Sequence, residues 1–169
     1  TPHNVSSAAS DVYKRQLIDR DKLIKFKFNG KEFSGLKGDT LASALLANDQ
    51  MLVGRSFKYH RPRGLVASGV EEPNGLVGLG SDNQFEPNAR MTTIELFDGL
   101  EAFSQNHWPS LDFDLGSINN LLSKFFPAGF YYKTFIHPRA AWKYLFEPII
   151  RKSAGLGKAP KQRDPDTYE

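Results

Sequence analysis

The sequence predicts an α+β domain over residues 23–98, followed by an aromatic-rich helical extension. Three observations predict this class: an alternating apolar segment with a tight turn at 23–35, an apolar helical face within 41–47, and short strand-like runs up to residue 97. The order of hairpin, helix and further short strands is typical of a mixed sheet that packs one face on a helix. The chain has no internal repeat.

The first element is a β-hairpin. Ile24, Phe26 and Phe28 alternate with polar residues, which is the period of a half-buried strand. Asn29-Gly30 indicates a type I′ turn, because both central positions of that turn must accept φ > 0. Lys31–Gly35 is therefore predicted to be the returning strand.

A short helix over Leu41–Ala47 is the second element. Asp39 or Thr40 can cap its exposed amides, and Asn48-Asp49 is expected to end it. One face of this helix is apolar, with Leu41, Ala44 and Leu45.

Three later runs are predicted to be strands: Met51–Val53 as a buried strand, Leu76–Leu79, and Thr92–Phe97 as the last one before an Asp98-Gly99 turn. The glycine-rich Gly75–Gly80 lacks both the Gly-x-Gly-x-x-Gly order and the Lys-Ser/Thr of phosphate loops, so it is interpreted as a bulged strand.

The C-terminal part is different in character. Ser117 is expected to cap a helix whose apolar face carries Ile118, Leu121, Leu122 and Phe125. Nine aromatic residues lie between positions 125 and 146, and such a segment must pack on the first domain or on another partner. The predicted division is a disordered or non-native leader (1–16), the α+β domain (17–98), a helical connector (99–158) and a linker to a following domain (159–169).

Composition excludes several classes of protein. Of the 169 residues 40% are hydrophobic and 24% charged, which is typical of a soluble globular protein, and the net charge of +3 is too small to indicate nucleic acid. The absence of cysteine excludes disulfides, thiolate catalysis and cysteine-ligated clusters, and it suits a cytoplasmic location. No apolar run reaches the roughly 20 residues that span a bilayer.

A dense basic loop, Arg55–Arg63, is the candidate site. It has no acidic residue, and its candidate anion contacts are Arg55, Lys58, His60, Arg61 and Arg63. Arginine forks bind phosphate or carboxylate groups bidentately, so the loop can hold an anion or a cofactor pyrophosphate. The alternative is a surface loop whose arginines pair with acidic residues of this chain or a neighbour. Tyr59 alone is weak support for nucleic acid.

The other polar motifs indicate no chemistry. The four histidines have no metal-ligand spacing. Glu71-Glu72-Pro73-Asn74 and Glu86-Pro87-Asn88 are interpreted as turns rather than as paired catalytic carboxylates. No complete active site, and no catalytic residue, is predicted from these residues.

Several longer phrases carry a resemblance to a known family: Ile18–Arg20, Gly38–Ala47, Gly54–Gly64, Gly69–Asn74, Ser104–Ser110, Ala128–Phe135 and Asp164–Tyr168. From Leu17 onward the chain resembles the start of the alpha subunit of heterotetrameric sarcosine oxidases. The resemblance implies a β-grasp, ferredoxin-like 2Fe-2S domain that has lost its cluster. Related dehydrogenase and cyanide-synthase subunits keep cysteines spaced Cys-x4-Cys-x2-Cys, which would fall near Val66, Glu71 and Asn74, with a fourth near Thr92. None of these is cysteine here, so no iron–sulfur cluster is expected.

The resemblance also implies a function for the complete complex. Such complexes demethylate sarcosine oxidatively to glycine, with hydrogen peroxide and formaldehyde or methylenetetrahydrofolate, and they use FAD, FMN, NAD and tetrahydrofolate. The partners implied are the beta, gamma and delta subunits and the dinucleotide-binding remainder of the alpha subunit, while this segment serves as a scaffold. Two alternatives are a subunit of a related amine or opine dehydrogenase, and a non-enzymatic module that binds RNA or an acidic protein.

Overall fold

The computed structural model describes residues 18–81, 85–125 and 137–153. Within them lie seven strands: β1 (Asp19–Phe28), β2 (Lys31–Lys37), β3 (Gly54–Arg55), β4 (Pro62–Arg63), β5 (Leu76–Leu79), β6 (Glu86–Arg90) and β7 (Leu100–Ser104). Five form a sheet in the order β2-β1-β7-β5-β6, and β3 and β4 form a separate ribbon. β1 and β7 are parallel, whereas the other pairs are antiparallel.

The helical elements are α1 (Leu41–Ala47), α2 (Ile118–Leu121), α3 (Arg139–Ala141) and α4 (Glu147–Ser153). Short 3-10 turns flank α2, and a π-helical turn, Trp142–Phe146, joins α3 to α4. A mixed sheet with one helix packed against it confirms the α+β, β-grasp expectation, and the later helices form the expected helical extension.

The first hairpin is confirmed. Ile24, Phe26 and Phe28 are buried and alternate with exposed residues along β1. Asn29 and Gly30 have φ of 51° and 80°, as a type I′ turn requires, and Phe28 pairs directly with Lys31.

Helix α1 packs its apolar face against the sheet. Thr40 caps it, because its Oγ1 accepts from the Ser43 amide at 3.2 Å. The helix packs closely on β2 at Gly35, where a Cβ atom would lie 2.8 Å from Ala44 Cβ and 2.4 Å from Leu96 Cδ1. The core around it consists of buried apolar side chains, including Phe26, Leu41, Leu45, Val53, Val77, Met91 and Leu100.

Two predicted strands are wrong. Met51–Val53 is not a strand: Val53 is buried, but Met51 is 65% exposed and regular pairing begins only at Gly54. Thr92–Phe97 forms a turn and a single bridge instead of a strand.

The main chain of residues 91–96, which includes most of this second segment, is engaged elsewhere. It bonds to the start of α1 and the residues just before it, through the amide–carbonyl pairs Leu41 to Ile94, Ala42 to Met91 and Leu96 to Asp39. The sheet is completed by β7, which begins after the predicted boundary at residue 98.

The turn predictions have mixed outcomes. β5 is confirmed with its bulge, a register shift between Val77 and Leu79, and the Asp98-Gly99 turn is confirmed with a Gly99 φ of 79°. The turn at Glu86–Asn88 is wrong, because these residues belong to β6. Asn88 still has a φ of 61°, which places its turn-like backbone conformation inside a strand.

The helix predicted after Ser117 is shorter than expected. Ser117 makes no side-chain cap bond, and Asp114 caps the preceding 3-10 turn instead by accepting from the Gly116 amide at 3.0 Å. α2 ends at Leu121, and its apolar residues face outward: Ile118 is 55% and Leu121 80% exposed. The extension therefore shows an uncovered apolar face within the described residues.

Other predictions fall outside the described residues. These are the leader at 1–16, the linker at 159–169 and the aromatic residues between 126 and 136. Trp108 and Tyr144, which are described, are also largely exposed. None of the described helices is long and apolar enough to cross a membrane.

Two neighbouring leucines of α1 allow a matched test of the core. Leu45 is fully buried and Leu46 is 40% exposed. Leu45→Ala should lower the free energy of unfolding by about 2–5 kcal/mol, because it leaves a cavity between α1 and the sheet. Leu46→Ala should change it far less. Urea unfolding followed by circular dichroism measures both, and equal losses would contradict this packing.

Candidate functional site

The basic loop connects β3 to β4 as a tight hairpin. Gly54 pairs with Arg63, and Arg55 with Pro62. Inside the hairpin the Ser56 amide donates to the Arg61 carbonyl at 3.0 Å, and the His60 amide donates to the Ser56 carbonyl at 2.8 Å. His60 has a φ of 53°, a left-handed conformation that is uncommon outside glycine. The loop is thus held by its own main chain, and its basic side chains divide into two groups.

The inner group consists of Arg55 and His60. Arg55 has a side chain only 10% exposed, and its guanidinium lies 3.6 Å from Asp114 Oδ2. It also donates to three main-chain carbonyls, those of Leu111 at 2.8 Å, His60 at 3.0 Å and Asp112 at 3.2 Å. Arg55 therefore joins the basic loop to the segment after β7.

The carboxylate of Asp114 is the centre of this inner group. It is fully buried, and it lies 2.7 Å from His60 Nδ1. It accepts from the main-chain amides of Trp108 and Gly116, both at 3.0 Å. Burial alone would raise the pKa of Asp114, but these two amides and the His60 ring outweigh it and hold the pKa below its ordinary value. The carboxylate is therefore ionised at neutral pH.

His107 lies next to this group. Burial lowers its pKa, although Asp114 opposes the shift, so the ring is neutral at neutral pH. Its two nitrogens are buried and have no geometrically well-formed hydrogen bond to the described residues. These residues also contain no group of three side chains that could hold a metal ion.

The outer group consists of Lys58, Arg61 and Arg63. Lys58 and Arg61 lie 4.9 and 4.7 Å from the centre of the Tyr59 ring, and Arg61 Nε donates to Asn120 Oδ1 at 2.8 Å. Together with Arg55 they line a groove of about 480 Å³, here called the basic groove. Every charged residue among the described lining is a cation, and four amide side chains also line the groove: Asn74, Asn88, Gln105 and Asn106. The basic groove is therefore suited to an anion.

A second buried carboxylate orders the loop that follows the basic loop. Glu72 is 0% exposed, and its Oε2 accepts from the amides of Val66 at 2.7 Å and Ala67 at 2.6 Å, while its Oε1 accepts from the Asn74 amide at 2.7 Å. Thr92 Oγ1 donates to the Gly69 carbonyl at 2.8 Å. This segment, residues 64–75, is here called the carboxylate loop.

Only part of this arrangement could be predicted from the sequence. The five candidate anion contacts lie on one hairpin. Arg55 and His60 face Asp114, which matches the pairing alternative, while Lys58, Arg61 and Arg63 line the groove together with Arg55. Asp114 was missed, because nothing in the local pattern links it to His60, 54 residues earlier. The predicted turn at Glu71–Asn74 is present as a turn at Glu71 and bends at Pro73 and Asn74, but the burial of Glu72 has no sequence signal.

Residues 21–107 match the family of 2Fe-2S iron-sulfur cluster binding domains. Because that match covers more than half of the 169 residues, the chain belongs to this family. The alpha subunit of sarcosine oxidase from Rhizobium meliloti (strain 1021) is 60% identical over 156 residues, which are 92% of this chain and 16% of that subunit. The alpha subunit of sarcosine oxidase from Corynebacterium sp. (strain U-96) is 42% identical over 88 residues, or 50% of this chain and 9% of that subunit.

The chain thus spans about one sixth, or less, of the length of the curated relatives it matches. A crystal structure of L-proline dehydrogenase from P. horikoshii is 25% identical and covers 53% of this chain and 17% of that one. The TM-score between the two chains is 0.40.

The residues of this chain do not fit the 2Fe-2S cluster after which the family is named. A 2Fe-2S cluster is held by cysteine thiolates, two of which histidines can replace, and this sequence has no cysteine. Such ligands are expected near Val66, Glu71, Asn74 and Thr92. The first three positions lie in the carboxylate loop, and Thr92 donates a hydrogen bond to it. Three main-chain amides of this loop bind Glu72.

Asp114→Asn tests the inner group. The change keeps the shape but removes the charge that faces Arg55 and His60, so the free energy of unfolding at pH 7 should fall by about 1–3 kcal/mol. Because the folded pKa of Asp114 lies below the unfolded value of about 3.9, this contribution is present above that pH and is lost as pH falls through the folded pKa.

Asp112→Asn is the matched control, since Asp112 is exposed and uses only its main-chain carbonyl to accept from Arg55. Urea unfolding between pH 2.5 and 7 should show the difference for Asp114→Asn shrinking in acid. A loss of stability that stays constant with pH would contradict a role for the charge.

Proposed function

We propose that the chain is the N-terminal region of a sarcosine oxidase alpha subunit. The complete complex would oxidatively demethylate sarcosine to glycine, with hydrogen peroxide and formaldehyde or, with tetrahydrofolate, methylenetetrahydrofolate as the other products. The observation that supports this most is the 60% identity that extends over 92% of the chain, through both the sheet and the helical extension.

Within that complex we propose a scaffold role for this segment. FAD, FMN and NAD would be held by the rest of the alpha subunit and by its beta, gamma and delta partners, in the cytoplasm. In support, the described residues offer no metal-binding cluster, and Arg55, His60 and Asp114 are engaged with one another. The reacting groups would therefore lie outside this chain.

We also propose that the basic groove holds a carboxylate or phosphate of a neighbouring domain or of a bound cofactor. Since Arg55 and His60 already face a buried carboxylate, the anion would be held by Lys58, Arg61 and Arg63. Hydrogen bonds from charged donors contribute about 1.5–3 kcal/mol each, enough to fix the position of a neighbouring group.

The complete subunit containing this chain, assembled with its partner subunits, should convert sarcosine to glycine with release of hydrogen peroxide. A peroxidase-coupled assay measures the peroxide, and the 169-residue chain alone serves as the inactive control. A complex without flavin, or without sarcosine-dependent peroxide, would contradict the proposal. Sarcosine-dependent reduction of a dye with no peroxide would indicate a dehydrogenase instead.

Charge reversal tests the basic groove. In the complete complex, Arg61→Glu together with Arg63→Glu should weaken assembly or cofactor retention about tenfold or more, since a repulsive contact replaces an attractive one. Sedimentation and flavin content at low and high salt measure both quantities. Lys37→Glu, an exposed cation at the end of β2 outside the groove, is the control.

An unchanged double variant would show that the groove makes no internal contact. Salt-dependent RNA binding by the chain, abolished by the same reversal, would favour the nucleic-acid module over the scaffold.

A further inference from the structure

We propose that the Glu72 carboxylate is the internal anion around which the carboxylate loop is folded, in the part of the fold where the family's metal ligands are expected. This inference rests on the membership of the iron–sulfur family and on the geometry of the loop, and it is independent of the proposed oxidase function. Val66, Asn74 and Thr92 mark the expected ligand region, and the first two supply main-chain amides to Glu72.

The loop has the geometry of an anion site built from main-chain amides. Successive N–H groups that point into one concavity bind anions, and iron–sulfur sites use this arrangement. Here the amides of Val66, Ala67 and Asn74 converge on one carboxylate at 2.6–2.7 Å. Distances this short are typical of hydrogen bonds to a charged acceptor. The anion that fills the concavity is therefore supplied by the chain itself.

Among the described residues, the hydrogen bonds to this carboxylate come from main-chain amides. A buried carboxylate is tolerated only when its oxygens are satisfied. Burial would raise the pKa of Glu72, but the amides of Asn74, Ala67, Val66 and Gly75 together hold it below the ordinary value, so the group remains ionised at neutral pH.

The loop is closed around this side chain. At Gly75, a Cβ atom would lie 2.8 Å from both Leu65 Cδ2 and Met91 Cγ, and 3.3 Å from Glu72 Cγ. Thr92 ties the far side of the loop through the Gly69 carbonyl. This packing around Glu72 leaves no gap at Gly75 for even a methyl group.

The same carboxylate positions one wall of the basic groove. Asn74, whose amide binds Glu72, donates from its side chain to the Gly64 carbonyl at 3.1 Å, and Asn74 itself lines the groove. Gly64 directly follows Arg63, one of the groove cations. Glu72 is therefore a positioning residue for the groove, acting through Asn74.

Amide proton shifts of the unmodified chain test the inference directly. The signals of Val66, Ala67 and Asn74 should titrate together with a single midpoint below the ordinary glutamate pKa of about 4.3, because all three donate to one carboxylate. The loop contains one other titratable side chain, the exposed Glu71, and residues 91–93 packed against the loop contain none. Separate midpoints, or no titration, would overturn the proposal.

Glu72→Gln and Glu71→Gln form a matched pair of variants. Glu71 is exposed and accepts from the Gly69 amide at 3.3 Å, so its change should leave the three signals almost unaltered. Glu72→Gln should abolish their common titration and lower their hydrogen-exchange protection at least tenfold, while amides of β1 and β7 keep theirs. Equal effects of the two variants, or an unaltered Glu72→Gln, would overturn the proposal. If Glu72→Gln does not fold, the titration of the unmodified chain still decides the outcome.

Discussion

The parallel pairing of β1 with β7 is the constraint on which the rest of the structure depends. Phe26 pairs with Leu100 and Phe28 with Ala102, which places the last strand between β1 and β5. The chain that leaves β7 then passes beside the basic loop, so that Asp114 reaches His60 and Arg55.

Two buried carboxylates hold the loops outside the five-stranded sheet in place. Asp114 accepts from a histidine ring and two amides, and it joins the basic loop to the segment after β7. Glu72 accepts from amides within its own loop and joins that loop's two ends. Both loops border the basic groove, so the buried carboxylates of Asp114 and Glu72 help to position the cationic side chains that line it. This arrangement suits a rigid surface that a neighbouring domain can contact.

Local patterns predicted the elements that are local in nature. The β1–β2 hairpin and α1 followed from the alternation of Ile24, Phe26 and Phe28 and from the Asn29-Gly30 turn, which act over a few residues. Thr92–Phe97 is richer in strand-forming residues than β7, yet β7 is the segment that joins the sheet. The main chain around Thr92–Phe97 is instead hydrogen-bonded to the start of α1. That choice depends on contacts about fifty residues apart.

The site shows the same division. A basic loop was visible in the composition of Arg55–Arg63, but which of its side chains turn inward depends on Asp114, far along the chain. Glu72 has the sequence context of a turn residue, yet in the fold it is fully buried and accepts from three main-chain amides. Burial of a polar group follows from the surrounding fold, which no short window contains.

The uncovered apolar side chains of the extension have a consequence for behaviour in solution. Leu121, Trp108 and Tyr144 each expose about two thirds or more of their surface. Apolar surface of this kind is attracted to any similar surface, including that of another copy of the chain. At high protein concentration the isolated chain is therefore expected to self-associate. A partner that covers these side chains should raise its solubility, so the solubility of the mixture measures how well that partner fits.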